Sequence, residues 1–219
     1  MRHVHAAAFV SLDGVMQAPG GPQEDPTGGF ELGGWTVNYW DDVIGDVMAG
    51  IFGQPYDLLL GRKTYEIFAA HWPYIENDPF ADALNNAKKY VATSSREPLQ
   101  WQNSVAIHDV STDVSRLKRE DGPTLLTQGS SQLLQTLLKH DLVDRIHLLI
   151  YPLVLGKGKR LFGAGAIPTA LKLMDSKVSP SGVTIVTYER AGMVEPGSFA
   201  LDHPSADELA RRERMQREG

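Results

Sequence analysis

The apolar residues of this chain switch period repeatedly, from two to about 3.6 and back, and that rhythm constrains the fold more than any other feature. A short strand-like run at 3–10 gives way, after a long Gly/Pro-rich stretch, to a helical face of Val43, Ile44, Val47, Met48 and Ile51. Asp57-Leu58-Leu59-Leu60 reads as a buried strand that runs through Gly61 straight into a helix at 62–70. Further strands are expected at 89–93, 104–107, 124–127 and 145–151, with helices at 111–120 and 132–139 between them. Two late runs, 171–178 and 183–190, are joined by Ser179-Pro180-Ser181-Gly182, a hairpin turn. Eight strands and about four helices in this order predict an α/β fold with helices on both faces of a mostly parallel sheet and an antiparallel hairpin at its end. At 219 residues and 42% apolar content, the chain suits one such domain with a full core.

Beyond residue 192 the pattern stops. Residues 193–219 are read as a charged tail in which Ser205 caps a helix through Asp207 and Glu208, solvated or used as a subunit-contact arm. No apolar run approaches the roughly 18 residues of a membrane span, and Met1-Arg2-His3-Val4-His5 lacks a signal-peptide core. With no cysteine, thiol chemistry is closed off, and a reducing cytoplasm is the expected location. A net charge of −6 argues against nucleic acid as a partner. The histidines are dispersed, and the pair His3 and His5 has no ligating neighbours in sequence, so no metal site is expected.

Ligands of parallel α/β sheets gather at the carboxyl ends of the strands. Three such ends carry small residues beside polar or cationic ones. Gly61-Arg62-Lys63-Thr64 opens a helix, where free N–H groups and a guanidinium suit a phosphate. Ser94-Ser95-Arg96 closes the strand at 89–93, and Gln128-Gly129-Ser130-Ser131 opens the helix at 132. Each alone is an ordinary cap or turn; three together suggest a dinucleotide with several phosphates. Neither a G-x-G-x-x-G after the first strand nor a P-loop motif is present. Tyr151 to Phe162 adds a cationic glycine loop, Leu155-Gly156-Lys157-Gly158-Lys159-Arg160, read as a solvated turn or as a wall over a ligand pocket.

These segments, together with Ser11-Leu12-Asp13-Gly14 and Leu142-Val143-Asp144-Arg145, resemble the dihydrofolate-reductase-like superfamily over about residues 3–190. They are most similar to the reductase domain of the bifunctional riboflavin-biosynthesis protein. The resemblance implies a three-layer α/β/α fold around an eight-stranded sheet, NADPH as hydride donor, and a small-molecule substrate. The family activity is reduction of 5-amino-6-(5-phosphoribosylamino)uracil. It also implies that Gly61, Arg62, Lys63 and Thr64 approach the cofactor phosphates. Ser94, Ser95 and Arg96 lie by the adenosine ribose and its 2′-phosphate, and Gln128, Gly129, Ser130 and Ser131 by the pyrophosphate. Two departures concern the substrate: Val15 stands where a lysine commonly follows the Leu-Asp-Gly turn, and Gln128 where Glu-Gly-Gly begins.

On this reading the nicotinamide lies near Ala8, Ser11 and Asp13, with Asp13, Asp42, Asp46 or an ordered water as the proton route. Trp35 and Trp40 are either core or walls of a flat pocket that Leu155 and Gly156 complete, and the loop at 18–40 is the lid. The expected chemistry is reduction of a C=N or C=O in a pterin- or aminopyrimidine-like heterocycle. The alternatives are an NADPH sensor without turnover and an assembly protein, and a homodimer is expected under any of them.

Overall fold

The computed structural model describes residues 1–163 and 166–218. Its centre is a single sheet of eight strands in the order β4-β3-β2-β5-β1-β6-β8-β7. The strands are β1 (Val4–Ser11), β2 (Tyr56–Gly61), β3 (Lys89–Ala92), β4 (Ser104–Ile107), β5 (Thr124–Gln128), β6 (Arg145–Tyr151), β7 (Leu171–Val178) and β8 (Thr184–Arg190). The five pairings from β4 across to β6 are parallel, and β6–β8 and β8–β7 are antiparallel. The mixed α/β sheet with a terminal hairpin is therefore as the periodicity predicts.

The helices are α1 (Asp42–Phe52), α2 (Arg62–Ala69), α3 (Pro79–Asn86), α4 (Val110–Arg119), α5 (Ser131–Lys139) and α6 (Ala206–Glu218). The sequence reading lacks α3, whose short apolar face buries only Ala81 and Leu84, with Phe80 partly buried beside them. Its start is nonetheless encoded by Asp78-Pro79: Asp78 accepts the N–H groups of Phe80 and Ala81, and proline sits where no donor is needed. In α6 Ser205 caps the Glu208 N–H as expected, and Glu208 binds Arg211 and Arg212, but no residue of the helix is buried.

The two faces of the sheet make separate cores. Val4, Ala6, Ala8 and Val10 of β1 pack with α4 and α5. Ala7, with Leu58, Leu60 and Leu149, packs against α1, α2 and α3. The alanines of β1 keep the central strand thin, so helices on both faces approach closely. Because α2 leaves β2 toward one face and α5 leaves the adjacent β5 toward the other, a crevice opens between them at the carboxyl edge of the sheet. At the opposite end, Asp144 fixes the start of β1, accepting the Val4 N–H at 2.7 Å and the Lys118 ammonium at 2.6 Å.

Lys89, the first residue of β3, is fully buried, with Nζ 2.6 Å from the Asn85 carbonyl and 4.1 Å above the Trp101 ring. Burial pushes its amine down to about 8 from an ordinary 10.5. The unfolded chain therefore binds more protons between those values, and wild-type stability relative to Lys89→Met is expected to rise with pH across that window. Urea midpoints of the two proteins on either side of pH 8 measure it; a gap independent of pH would contradict it.

Candidate active site

The first and third strand ends meet in the crevice. The Gly61 N–H donates to Ser130 Oγ at 3.0 Å, and Ser130 Oγ lies 2.6 Å from Thr64 Oγ1. A β-carbon on Gly61 would stand 2.6 Å from Ser130 Oγ, so only glycine admits this contact. Ser130 adopts a left-handed backbone (φ 60°), rare for a residue with a side chain, to turn its hydroxyl toward β2. The consequence is that α5 begins without a side-chain cap, and α2 begins on Gly61, which has none to offer. Neither helix has an acid in its first turn. Two uncapped helix starts with their positive dipole ends lie side by side. Gln128 is half-buried beside Ala7, whose carbonyl accepts the Gly129 N–H at 3.2 Å. Ala8, also assigned to the cofactor, is buried in the sheet opposite Leu148.

The second strand end lies against the first through Arg62. Its guanidinium binds Glu66 at 2.6 Å, and Glu97 through the carboxylate at 3.2 Å and the carbonyl at 3.4 Å. Arg62 is thus a clamp between α2 and the loop after β3. That loop is braced by Thr93 and Ser95, whose hydroxyls accept the N–H groups of Ser95 and Glu97. Ser94, Arg96 and Lys63 are exposed, and neither cation has an ion-pair partner among the described residues.

Asp13 holds the third part of the edge together. Its carboxylate accepts Ser11 Oγ at 2.6 Å, the Leu155 N–H at 3.0 Å and the Gly156 N–H at 2.9 Å, and meets Arg160 at 3.3 Å. The Ser11 hydroxyl and the Leu155 and Gly156 amides outweigh the small cost of burial and hold the carboxyl down to about 2. At neutral pH it carries no proton to donate, and its geometry is that of a clasp between β1 and the loop after β6. Leu155 and Gly156 spend their backbone donors on this clasp. The other cations of the glycine loop are also engaged: Lys159 with Asp25 and Thr27, Lys157 with the Gly29 carbonyl. Gly158 packs where a β-carbon would lie 2.5 Å from Val15 Cγ1.

The segment expected as a lid is strapped down. Gln17 donates to the carbonyls of Asp25 and Thr27 and accepts the Lys159 N–H. Trp35 is core: its ring is buried edge-on to Tyr151 at 5.2 Å, and its N–H bonds the Gln17 carbonyl at 2.8 Å. Trp40 is exposed, beside the first turn of α1. A shallow cavity of about 230 Å³ lies between this segment and the glycine loop, lined by Gln17, Thr27, Phe30 and Lys159. Sequence reasoning missed the adjoining network. Asp41 caps α1 at Ile44 and accepts the Ser181 N–H, while Ser181 Oγ bonds the Tyr39 carbonyl, so the β7–β8 turn is tied to the start of α1. The only sequence signal was the Ser-Pro-Ser-Gly turn itself. Asp42, next in the chain, is exposed and has no hydrogen-bond partner among the described residues, and Asp46 is exposed one turn on. Among the described residues, no group of three or more His, Asp or Glu side chains is placed to hold a metal, and no helix is long and apolar enough to cross a membrane.

An eight-stranded sheet of this order, with helices on both faces, is a dihydrofolate-reductase-like α/β fold. The chain belongs to the RibD C-terminal domain family, which matches residues 2–185. Among curated proteins it is similar to two uncharacterised proteins of Bacillus subtilis. It is 28% identical to YwjB over 172 residues (77% of this chain, 87% of that protein) and 29% identical to YyaP over 140 residues (62% and 74%). Among solved structures it resembles a pyrimidine reductase-like protein of Corynebacterium diphtheriae (TM-score 0.57, 15% identity, 87% of this chain and 92% of that one). It also resembles Enterococcus faecalis dihydrofolate reductase complexed with NADP(H) (0.54, 17%, 86% and 96%). A third likeness is to the Thermotoga maritima diaminohydroxyphosphoribosylaminopyrimidine deaminase/5-amino-6-(5-phosphoribosylamino)uracil reductase (0.55, 16%, 87% and 57%).

Two substitutions test the geometry. Asp13→Asn keeps the shape but removes the charge that the Leu155 and Gly156 amides face, and should lower the thermal midpoint by several degrees at pH 7. Because the folded carboxyl titrates below its ordinary 3.8, that advantage is present above about pH 4 and is lost as pH falls through about 2. Thermal melts of both proteins from neutral to acid pH follow the gap. Gly61→Ala forces Ser130 from its seat and should cost about 1–3 kcal/mol by urea unfolding.

Proposed function

We propose that the protein is an NADPH-dependent oxidoreductase that reduces a C=N or C=O bond of a small pterin- or aminopyrimidine-like heterocycle. Family membership supports an oxidoreductase. The observation that carries the cofactor is the crevice: glycine closeness at Gly61 and two uncapped helix starts, with the exposed cations Lys63 and Arg96, which have no ion-pair partner among the described residues, in the flanking segments. These donors suit a dianionic pyrophosphate and a further phosphate. The group would be held by Gly61, Lys63 and Thr64, by Gly129, Ser130 and Ser131, and by Ser94, Ser95 and Arg96, and when bound it supplies the hydride.

The protein's part is to bind, orient and handle a proton. Asp13 is committed to its clasp and Asp41 to capping α1, so the exposed Asp42 and Asp46 of α1 are left for proton transfer, directly or through water. Tyr39 and Trp35 pack edge-on around Tyr151 beneath the carboxyl edge of the sheet. The segment at 18–40, strapped by Gln17 and Lys159, forms a wall over the site.

A second reading, a sensor that binds NADPH without turnover, is favoured by one observation. Val15, where the riboflavin-pathway reductases commonly carry lysine, is fully buried and offers no charged group to a substrate. The two readings separate in one assay: NADPH binding by fluorescence, then loss of reduced-nicotinamide absorbance with dihydropterins, aminopyrimidines and quinoid carbonyls. Turnover supports the reductase; binding with no oxidation across the panel supports the sensor; no binding overturns both.

Arg96→Ala is expected to weaken NADPH far more than NADH, by about 10- to 100-fold, the worth of a charged hydrogen-bond partner. Arg62→Ala should weaken both cofactors alike, because Arg62 holds the loop after β3 in place through Glu97. Titration calorimetry with each cofactor decides; equal loss of NADPH and NADH in Arg96→Ala would remove the 2′-phosphate assignment.

A further inference from the structure

A buried hydroxyl without a partner opposes folding, so each one in a native chain calls for an explanation. Among the described residues, three side-chain atoms are buried with no hydrogen-bond partner, the hydroxyls of Tyr56, Ser104 and Tyr151. Tyr56 and Ser104 are the first residues of β2 and β4, at the amino edge of the sheet. Tyr151 is the last residue of β6, opposite Ser11 at the end of β1, on the carboxyl edge where ligands of parallel sheets gather.

Tyr151 and Phe9 lie on the sheet face that α1 covers. Phe9, Trp35 and Tyr39 meet the Tyr151 ring at right angles, with centroids 6.0, 5.2 and 5.8 Å away. The polar groups of these neighbours are engaged elsewhere: the Trp35 N–H donates to the Gln17 carbonyl, and the Tyr39 carbonyl accepts Ser181 Oγ at 2.6 Å. The Asp41 carboxylate stands near enough to act on Tyr151, but its two oxygens already accept the Ile44 and Ser181 N–H groups. Burial, with the Asp41 charge, holds the phenol well above its ordinary 10, so the hydroxyl keeps its proton and is a donor. Trp35 is buried and Phe9 belongs to β1, whereas Tyr39 is half-buried in a short turn, Val37–Tyr39, that has no buried residue. Val37, Asn38 and Trp40 around it are exposed.

We propose that Tyr151 is a substrate-binding residue, its hydroxyl donating to an uncharged carbonyl oxygen or ring nitrogen of the heterocycle, which enters by displacing Tyr39. The donor has a proton to offer and no acceptor within the chain. An anionic atom at that point would face the Asp41 carboxylate, so the acceptor is uncharged. Rings on three sides fit a flat molecule. The proposal rests on the reading of the carboxyl edge as the site of a heterocycle reductase, and adds the residue that orients the acceptor there.

Tyr151→Phe removes the hydroxyl and keeps the ring, and Tyr56→Phe, which does the same at the amino edge, is the control. In thermal melts of the ligand-free proteins neither variant should melt below wild type, since each loses a polar atom that nothing pairs. Binding of a dihydropterin and of an aminouracil, with and without NADP+, is then followed by quenching of tryptophan fluorescence. It should be about 10-fold weaker in Tyr151→Phe, the effect of one lost hydrogen bond, and unchanged in Tyr56→Phe. NADPH affinity should be unchanged in both. A lower melting midpoint for Tyr151→Phe would show that its hydroxyl is already paired in the free protein and would overturn the proposal. So would heterocycle affinity that Tyr151→Phe leaves at the wild-type value or that Tyr56→Phe lowers as much, or a wild type that binds neither heterocycle. A wild type that fails to bind NADPH, with the Tyr151→Phe difference intact, would instead sink the reductase reading and leave the Tyr151 site standing.

Discussion

One carboxylate organises the carboxyl edge of this sheet. Asp13 stands just past the end of β1, which has parallel neighbours on both sides, and accepts two amides from the loop that leaves β6. The segments next to the clasp are tied to one another as well. The Met16 N–H meets the Lys159 carbonyl, Leu161 meets Gly14, and Gln17 joins the same loop to the 25–27 turn. A single antiparallel bridge, Val15–Arg160, sets the register of these two irregular segments, and the fixed charge at Asp13 anchors its end. A charged acceptor facing converging N–H groups is the strongest inexpensive restraint available to such loops.

The clasp also explains how an acidic protein presents a basic site. Net charge averages over a surface, whereas binding is local. The cations of the glycine loop are consumed by Asp13, Asp25 and backbone carbonyls, and Arg62 by Glu66 and Glu97. What is left at the crevice is a smaller, more directional set: the backbone N–H groups of two uncapped helix starts, with Lys63 and Arg96 exposed on the neighbouring segments. Backbone donors need no counter-charge elsewhere, so the site can favour phosphate in a chain of net charge −6.

Much of this is legible in the sequence itself. The eight strands announce themselves because a buried parallel strand must be a short apolar run, and the crossover helices because their apolar faces recur every three or four residues. The three strand ends were found from Gly, Ser and Arg beside apolar runs, and the first and third do meet at Ser130. Less legible were α3, whose two core residues give too weak a period, and the roles of Asp13 and Trp35. A turn aspartate, a proton donor and a loop clasp have the same sequence signature. Trp35 reads equally as core or as pocket wall until the position of Tyr151 is known.

The sequence by itself determined the element order, the place where a ligand of a parallel sheet must sit, and the residue types able to meet a phosphate there. These follow from local periodicity and from the dipoles of helix starts, which depend only on neighbours in the chain. Tertiary structure alone decided which charges are free and which are spent. Asp13 and Gly156 are 143 residues apart, Gly61 and Ser130 are 69, and nothing in either neighbourhood encodes the partner. Whether a lysine waits for a ligand or already holds a carboxylate is settled by packing at long range.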